Sequence, residues 1–177
     1  TRPLNPTHLA SLRKQLDKWE KNDVITPSYS PWASPMVAAK KSGGASDEVR
    51  WCVDYRALNA VTIPDSYPLP RAQENLEKLS GCRVFSALDS QAAYHCVPVG
   101  EKTQPLLAFT SPLGLFTFRR LPFGPTSAPA CFSRLMELTI GKLRSPWWSI
   151  YSDEVLFATP ELRLPLSELA GELEAPK

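Results

Sequence analysis

Apolar residues Leu9, Leu12, Leu16 and Trp19 recur at steps of three and four, the period of one face of an amphipathic helix. Asn5 or Thr7 can cap that helix and Pro6 suits its first turn, so one helix is expected up to about residue 22. The next stretch, 25–35 (ITPSYSPWASP), holds three prolines and no helical period. It reads as an extended, turn-rich lead into a strand at 36–40. A polar loop over 41–48 separates this strand from a second at 49–55, which predicts a hairpin.

Pro64, Pro68 and Pro70 lead to a short helix expected at 71–79, with Gly81 as its stop. Residues 84–89 alternate Val84, Ser86 and Leu88 against Phe85, Ala87 and Asp89, a strand that ends on a carboxylate. Further strands fit 94–99, 106–110 and 115–121. A helix is expected after Pro125, capped by Thr126 or Ser127, with Phe132, Leu135, Met136, Thr139 and Ile140 on one face. Residues 147–151 and 155–158 flank Ser152, Asp153 and Glu154 like the arms of a hairpin. This order of strands, helix and hairpin is an α+β pattern.

Composition agrees with a folded domain cut into many short elements. Of 177 residues 43% are hydrophobic, enough for a core, and the 18 prolines are about twice average usage. There is no Gly-x-y period and no apolar run of membrane-spanning length. The net charge of +2 announces no nucleic-acid or membrane partner by itself. It is uneven, however: residues 1–60 carry nine basic and six acidic side chains, residues 131–177 five and seven. Cys52, Cys82, Cys96 and Cys131 form no C-x-x-C pair, and His8 and His95 are the only histidines. That pattern does not suit zinc and predicts free, buried thiols in an intracellular, reducing compartment.

Two acidic positions lie at the ends of β elements: Asp89, and the pair Asp153 and Glu154. If the two strands are neighbours, three carboxylates converge and repel one another unless cations neutralise them. Magnesium suits such oxygen ligands, and a pair of ions can clamp the attacking and leaving oxygens of phosphoryl transfer. The alternative is that these are turn-forming residues at exposed hairpin tips.

Eight blocks carry a family resemblance: SPWASPMVAAKK (30–41), RWCVDYRALN (50–59), YPLPR (67–71), FSALD (85–89), YH (94–95), AFTSPLGLFTFRRLPFG (108–124), SAPACFSRLM (127–136) and YSDE (151–154). In order and spacing they resemble the fingers and palm of a reverse transcriptase of the Gypsy-type long-terminal-repeat retrotransposon branch. The resemblance implies an antiparallel palm sheet with helices on one face. It divides the chain into an N-terminal helix (1–24), a fingers-like β unit with the crossing to the palm (25–80), a palm-like α+β region (81–158) and a divergent tail (159–177).

The resemblance also implies template-directed deoxynucleotidyl transfer. Asp89 and Asp153 match the magnesium-ligating aspartates, and Glu154 falls where the family has a further aspartate. Tyr94 matches the residue whose ring excludes a 2′-hydroxyl. Arg50, with Lys40 or Lys41, matches the residues that hold the incoming triphosphate, a task suited to a guanidinium and an ammonium; solvated loop charge is the alternative for each. Phe123 and Gly124 match the pocket segment beside the nucleotide. The implied partners are an RNA or DNA primer-template and deoxynucleotides.

Several positions depart from the family pattern. Glu154 moves a carboxylate outward by one methylene, which a near-octahedral magnesium site tolerates poorly. Residues 90–93 (SQAA), Cys96 and Pro125 also differ, and no thumb segment is recognisable after the palm. These departures predict impaired or lost activity. They set against the polymerase reading a second one, a domesticated, non-catalytic domain that binds protein partners in a larger assembly.

Overall fold

A computed structural model describes residues 6–40, 49–69, 73, 77, 79–90, 92–139, 148–151 and 154–160. The chain divides into two compact units, Thr1–Asp65 with Ala92–Ala128, and Ser66–Gln91 with Pro129–Lys177.

In the first unit, helix α1 (Pro6–Lys21) buries Leu12 and Leu16 from its apolar stripe. It ends because Asp23 turns left-handed at φ 57°. There Val24 N–H donates to Trp19 O (2.8 Å) and Asp23 N–H to Glu20 O (3.0 Å), the paired bonds of a Schellman stop. The chain then enters a five-stranded sheet made of β1 (Ile25–Pro27), β2 (Ser34–Lys40), β3 (Val49–Val53), β5 (Phe109–Ser111) and β6 (Gly114–Phe118), in the order β1-β6-β5-β2-β3. The expected hairpin is β2 with β3, antiparallel with Met36 opposite Val53. The β2–β5 pairing is parallel, with Ser34 opposite Phe109.

Leu12, Leu16, Val24, Ile25, Trp51, Tyr55, Leu107, Phe109 and Phe118 form the core between α1 and this sheet. Burying each large apolar side chain contributes about 1.5–3 kcal/mol. Two polar tips are satisfied inside it: Trp51 Nε1–H donates to Ser11 Oγ (3.3 Å), and the Tyr55 hydroxyl to Leu107 O (2.9 Å). The short helix α2 (Arg56–Val61) follows β3.

Between residues 92 and 121 the chain differs from the alternating pattern. The strand expected at 94–99 is a 3-10 turn, Ala93–Cys96, followed by a single bridge from Pro98 to Arg120. Ala92 at φ 53° bends the chain into that turn, and Pro98 lacks the N–H a longer ladder needs. A second 3-10 turn, Gln104–Leu107, with proline at its start, replaces the first part of the strand expected at 106–110. The strand expected at 115–121 stops at Phe118.

The second unit is a three-stranded antiparallel sheet of β4 (Val84–Asp89), β7 (Trp148–Tyr151) and β8 (Glu154–Thr159), ordered β4-β8-β7. Val155, Ala158 and Thr159 of the central strand are buried, whereas edge strand β4 exposes Phe85 and Leu88. Helix α3 (Ala128–Thr139) starts where the sequence predicts and buries Phe132 and Met136; Ile140 lies outside the described residues. Most of the helix expected at 71–79 also lies outside them. Gln73 and Glu77 are helical, and Gly81 has the expected positive φ of 83°.

The cysteine expectation is half met. All four thiols are free, but none is fully buried and Cys96 is exposed. Cys96 ends the 3-10 turn at the surface instead of lying on a strand. No helix among the described residues is long and apolar enough to cross a membrane.

Candidate active site

In the second unit the pairing of β4 with β8 runs without interruption from Val84 opposite Thr159 to Asp89 opposite Glu154. Directly opposed residues of an antiparallel pair share one face, with Cα atoms about 4.5–5.5 Å apart. Asp89 and Glu154 thus stand side by side at the sheet's end, both exposed. On the other side of β8, Tyr151 is the register partner of Glu154. Asp153 lies outside the described residues. No group of three or more His, Cys, Asp or Glu side chains able to hold a metal occurs among the described residues. The donor chemistry of Asp89 and Glu154 fits a hard cation, since magnesium takes one or two carboxylates and completes its shell with water and phosphate oxygens.

In the first unit Tyr94, Phe123 and Gly124 come together. Tyr94 is buried on the 3-10 turn, and its ring lies 4.7 Å from that of Phe123, tilted by 57°. Phe123 itself is 56% exposed, so its ring covers the buried Tyr94 and faces solvent. Gly124 sits at φ +111°, and a Cβ there would lie 3.1 Å from Tyr55 Cδ2. Both the backbone and the buried tyrosine therefore require glycine. Burial pushes the Tyr55 phenol far above its ordinary range, which keeps it a neutral donor to Leu107 O.

Asn59 and His95, to which the sequence reading gave no role, hold the Leu121–Gly124 segment and the residues after it. Asn59 Nδ2 donates to Gly124 O (2.9 Å), and Asn59 Oδ1 accepts from Thr126 N–H (2.9 Å). Leu121 N–H donates to Val97 O (2.9 Å), and His95 Nδ1 lies 3.2 Å from Leu121 O. Burial lowers the His95 pKa, a shift its bond to Leu121 opposes. No local pattern marks Asn59: helix α2 is not among the expected elements, and the partners of its amide lie 65 and 67 positions away. At the start of that helix Asp54 grips Arg56 through Nε (2.8 Å) and Nη2 (2.6 Å) and also accepts its backbone N–H. The Arg56 side chain holds the Asp54 carboxyl at about 2.

Of the two lysines named with Arg50, Lys40 is not brought to the same face. Arg50 lies opposite Ala39, whereas Lys40 lies opposite Val49. Adjacent strand residues point to opposite faces, so Lys40 is on the face of buried Trp51 and Arg50 is on the other. The parity of the strand sets this, and Lys41 lies outside the described residues.

Each unit thus carries one of the features noted in the sequence: the second a sheet that ends in opposed carboxylates, the first a Tyr94–Phe123 ring pair beside a glycine. A family model described as reverse transcriptase (RNA-dependent DNA polymerase) matches residues 39–173. That is more than half of the chain, so the chain belongs to the reverse transcriptase family. The match runs into the segment that the sequence reading set apart at 159–177.

Two relatives from Drosophila melanogaster are the retrovirus-related Pol polyproteins of transposon 297, 31% identical over 94% of this chain, and of transposon opus, 32% identical over 90%. The Tf2-3 polyprotein of Schizosaccharomyces pombe is 30% identical over 87%. These are Gypsy/Ty3-type elements, and the chain spans only 16%, 17% and 11% of the three polyproteins. Among solved structures, the foamy viral protease-reverse transcriptase in complex with RNA/DNA hybrid superposes with a TM-score of 0.82 at 23% identity, over 98% of this chain and 22% of that one. The fold is thus that of a reverse transcriptase, mixed helix and sheet with antiparallel pairing in both sheets.

Proposed function

We propose that this chain is the fingers and palm portion of an RNA-directed DNA polymerase, and that Asp89, Asp153 and Glu154 hold its magnesium ions. The observation that carries the reading is the register that sets Asp89 opposite Glu154 at the end of β4 and β8. Bound there, magnesium would stabilise charge developing on the phosphoryl oxygens. The bond formed joins a primer 3′-oxygen to the α-phosphorus of a deoxynucleoside triphosphate; the bond broken releases pyrophosphate.

The chain's own residues orient that triphosphate. Arg50, on its open face of β3, would take the phosphate oxygens in a bidentate grip. Because Lys40 lies on the opposite face, Lys41 is the lysine assigned to assist it. The Tyr94 ring, braced by Phe123, would block a 2′-hydroxyl, and Phe123 with Gly124 would form the wall beside the nucleotide. An RNA/DNA hybrid, the ligand of the foamy viral structure, is the corresponding primer-template.

Primer extension on an RNA template, with magnesium and deoxynucleotides, tests this. Incorporation by the wild-type chain that disappears in Asp89→Asn is the expected result. The second reading, a non-catalytic domain with protein partners, is favoured by one observation: the partner of Asp89 is a glutamate, with its longer reach. If neither the wild-type chain nor Glu154→Asp extends a primer, the polymerase reading fails and the second stands.

A further inference from the structure

The aromatic side chains of the first unit meet at His95. The residue directly follows Tyr94 on the 3-10 turn. Its ring lies nearly parallel to Phe118 (centroids 6.3 Å, 16°) and edge-on to Trp19 (6.1 Å) and Phe123 (5.7 Å). Its Nδ1 meets the Leu121 carbonyl at 3.2 Å, and in the neutral ring that nitrogen must carry the proton to make the bond.

Phe123 needs such support. It is more than half exposed, on a segment outside the regular elements, and an aromatic ring so placed has several rotamers open to it. His95 restricts it twice, through the ring edge and through the backbone two residues upstream. Trp19 and Phe118 hold His95 in turn, so the brace is anchored in helix α1 and strand β6 and does not depend on the loop it supports.

We propose that His95 is a positioning residue for sugar selection: it holds the Phe123 ring against Tyr94 and so sets the space that a nucleotide's 2′ substituent can enter. This rests on the nucleotide-pocket reading above. One edge-to-face contact is worth about a two- to tenfold bias in ring population, and the effect on discrimination is expected in that range.

The test uses the full chain with two readouts. The first, free of nucleotide, is the set of NOEs between the Tyr94 and Phe123 rings. The second is the ratio of Kd values for ATP and dATP with magnesium. In His95→Leu, which keeps the volume, the NOEs are expected to weaken severalfold and the ratio to fall about fivefold. In His95→Phe, which keeps the ring, both are expected to stay within about twofold of wild type. Should His95→Leu not melt cooperatively, His95→Gln, with a donor but no ring, is expected to give the same losses.

Wild-type NOEs and an unchanged ratio in the ringless variant overturn the proposal. A wild-type chain that binds neither triphosphate overturns the nucleotide-pocket reading and the sugar-selection role with it; the NOEs then decide only whether His95 holds the ring pair.

Discussion

Asp89 and Glu154 are direct cross-strand partners at the open end of the β4–β8 ladder. Like charges placed opposite each other in a sheet repel, by roughly 0.2–1 kcal/mol when exposed. Without a divalent cation, Glu154→Gln is therefore expected to stabilise the chain by about that amount. Magnesium should raise the melting temperature of the wild type, by preferential binding to the folded state, and raise that of Asp89→Asn less. Thermal melts with and without magnesium check both; equal magnesium shifts in the two chains would count against a site at this pair.

Gly124 cannot take a side chain without disturbing Tyr55. With φ at +111° and a Cβ at 3.1 Å from the tyrosine ring, Gly124→Ala is expected to cost about 1–3 kcal/mol. Asn59→Leu removes both of the amide's bonds to the same segment and should cost about 1–3 kcal/mol. Because the two changes act on one segment, their sum is not expected to be additive. Urea denaturation of the two single variants and the double variant measures this.

Ala92 holds a left-handed conformation, φ 53° and ψ 40°, immediately before the Tyr94 turn. A residue with a Cβ is strained there by about 1–2 kcal/mol. Ala92→Gly relieves that strain while enlarging the unfolded ensemble, so the net gain expected is a few tenths to 1 kcal/mol. An increase in melting temperature without loss of the Tyr94–Phe123 NOEs is the result that checks it.

His95 is half buried, and burial lowers its pKa below the ordinary 6.5. The unfolded chain then binds a proton that the folded chain refuses, so stability rises with pH across that interval. The His95 contribution is complete above pH 6.5 and is lost as pH falls through the lowered folded-state value. In His95→Phe this acid-side slope should disappear, as denaturation measured from pH 7 down to pH 5 would show.

Asp54 behaves in the acidic range. Its carboxyl, gripped by Arg56, titrates at about 2 instead of 3.8, so the contribution of this pair is present above pH 3.8 and lost as pH falls towards 2. Arg56→Gln should return the titration towards 3.8, which the carboxyl carbon shift of Asp54 reports directly.

The extent to which these features were legible varies by element. Helix α1, the β2–β3 hairpin and the carboxylate at the end of β4 follow from periodicity over adjacent residues, because local geometry decides which side chains share a face. The 3-10 turns at 93–96 and 104–107 overlap the strands expected at 94–99 and 106–110. Short apolar runs of this kind fit either state; a left-handed Ala92 sets the first turn and Pro105 starts the second. Asn59 and His95 were missed for a related reason: their partners Gly124 and Thr126, and Phe118, Leu121 and Phe123, lie 23 to 67 positions away in the chain, beyond any local pattern.

The sequence by itself determined which family this chain belongs to and which residue types are available for the chemistry, since motif order and spacing survive without coordinates. Tertiary structure decided how those residues are paired. It set Glu154 opposite Asp89, separated Lys40 from Arg50 onto opposite faces, and gathered the Phe123 segment between Asn59 and His95. Strand register and side-chain parity flip with a shift of a single residue, and they are fixed by burying one face of a sheet against distant segments, a constraint that no short stretch of the chain contains.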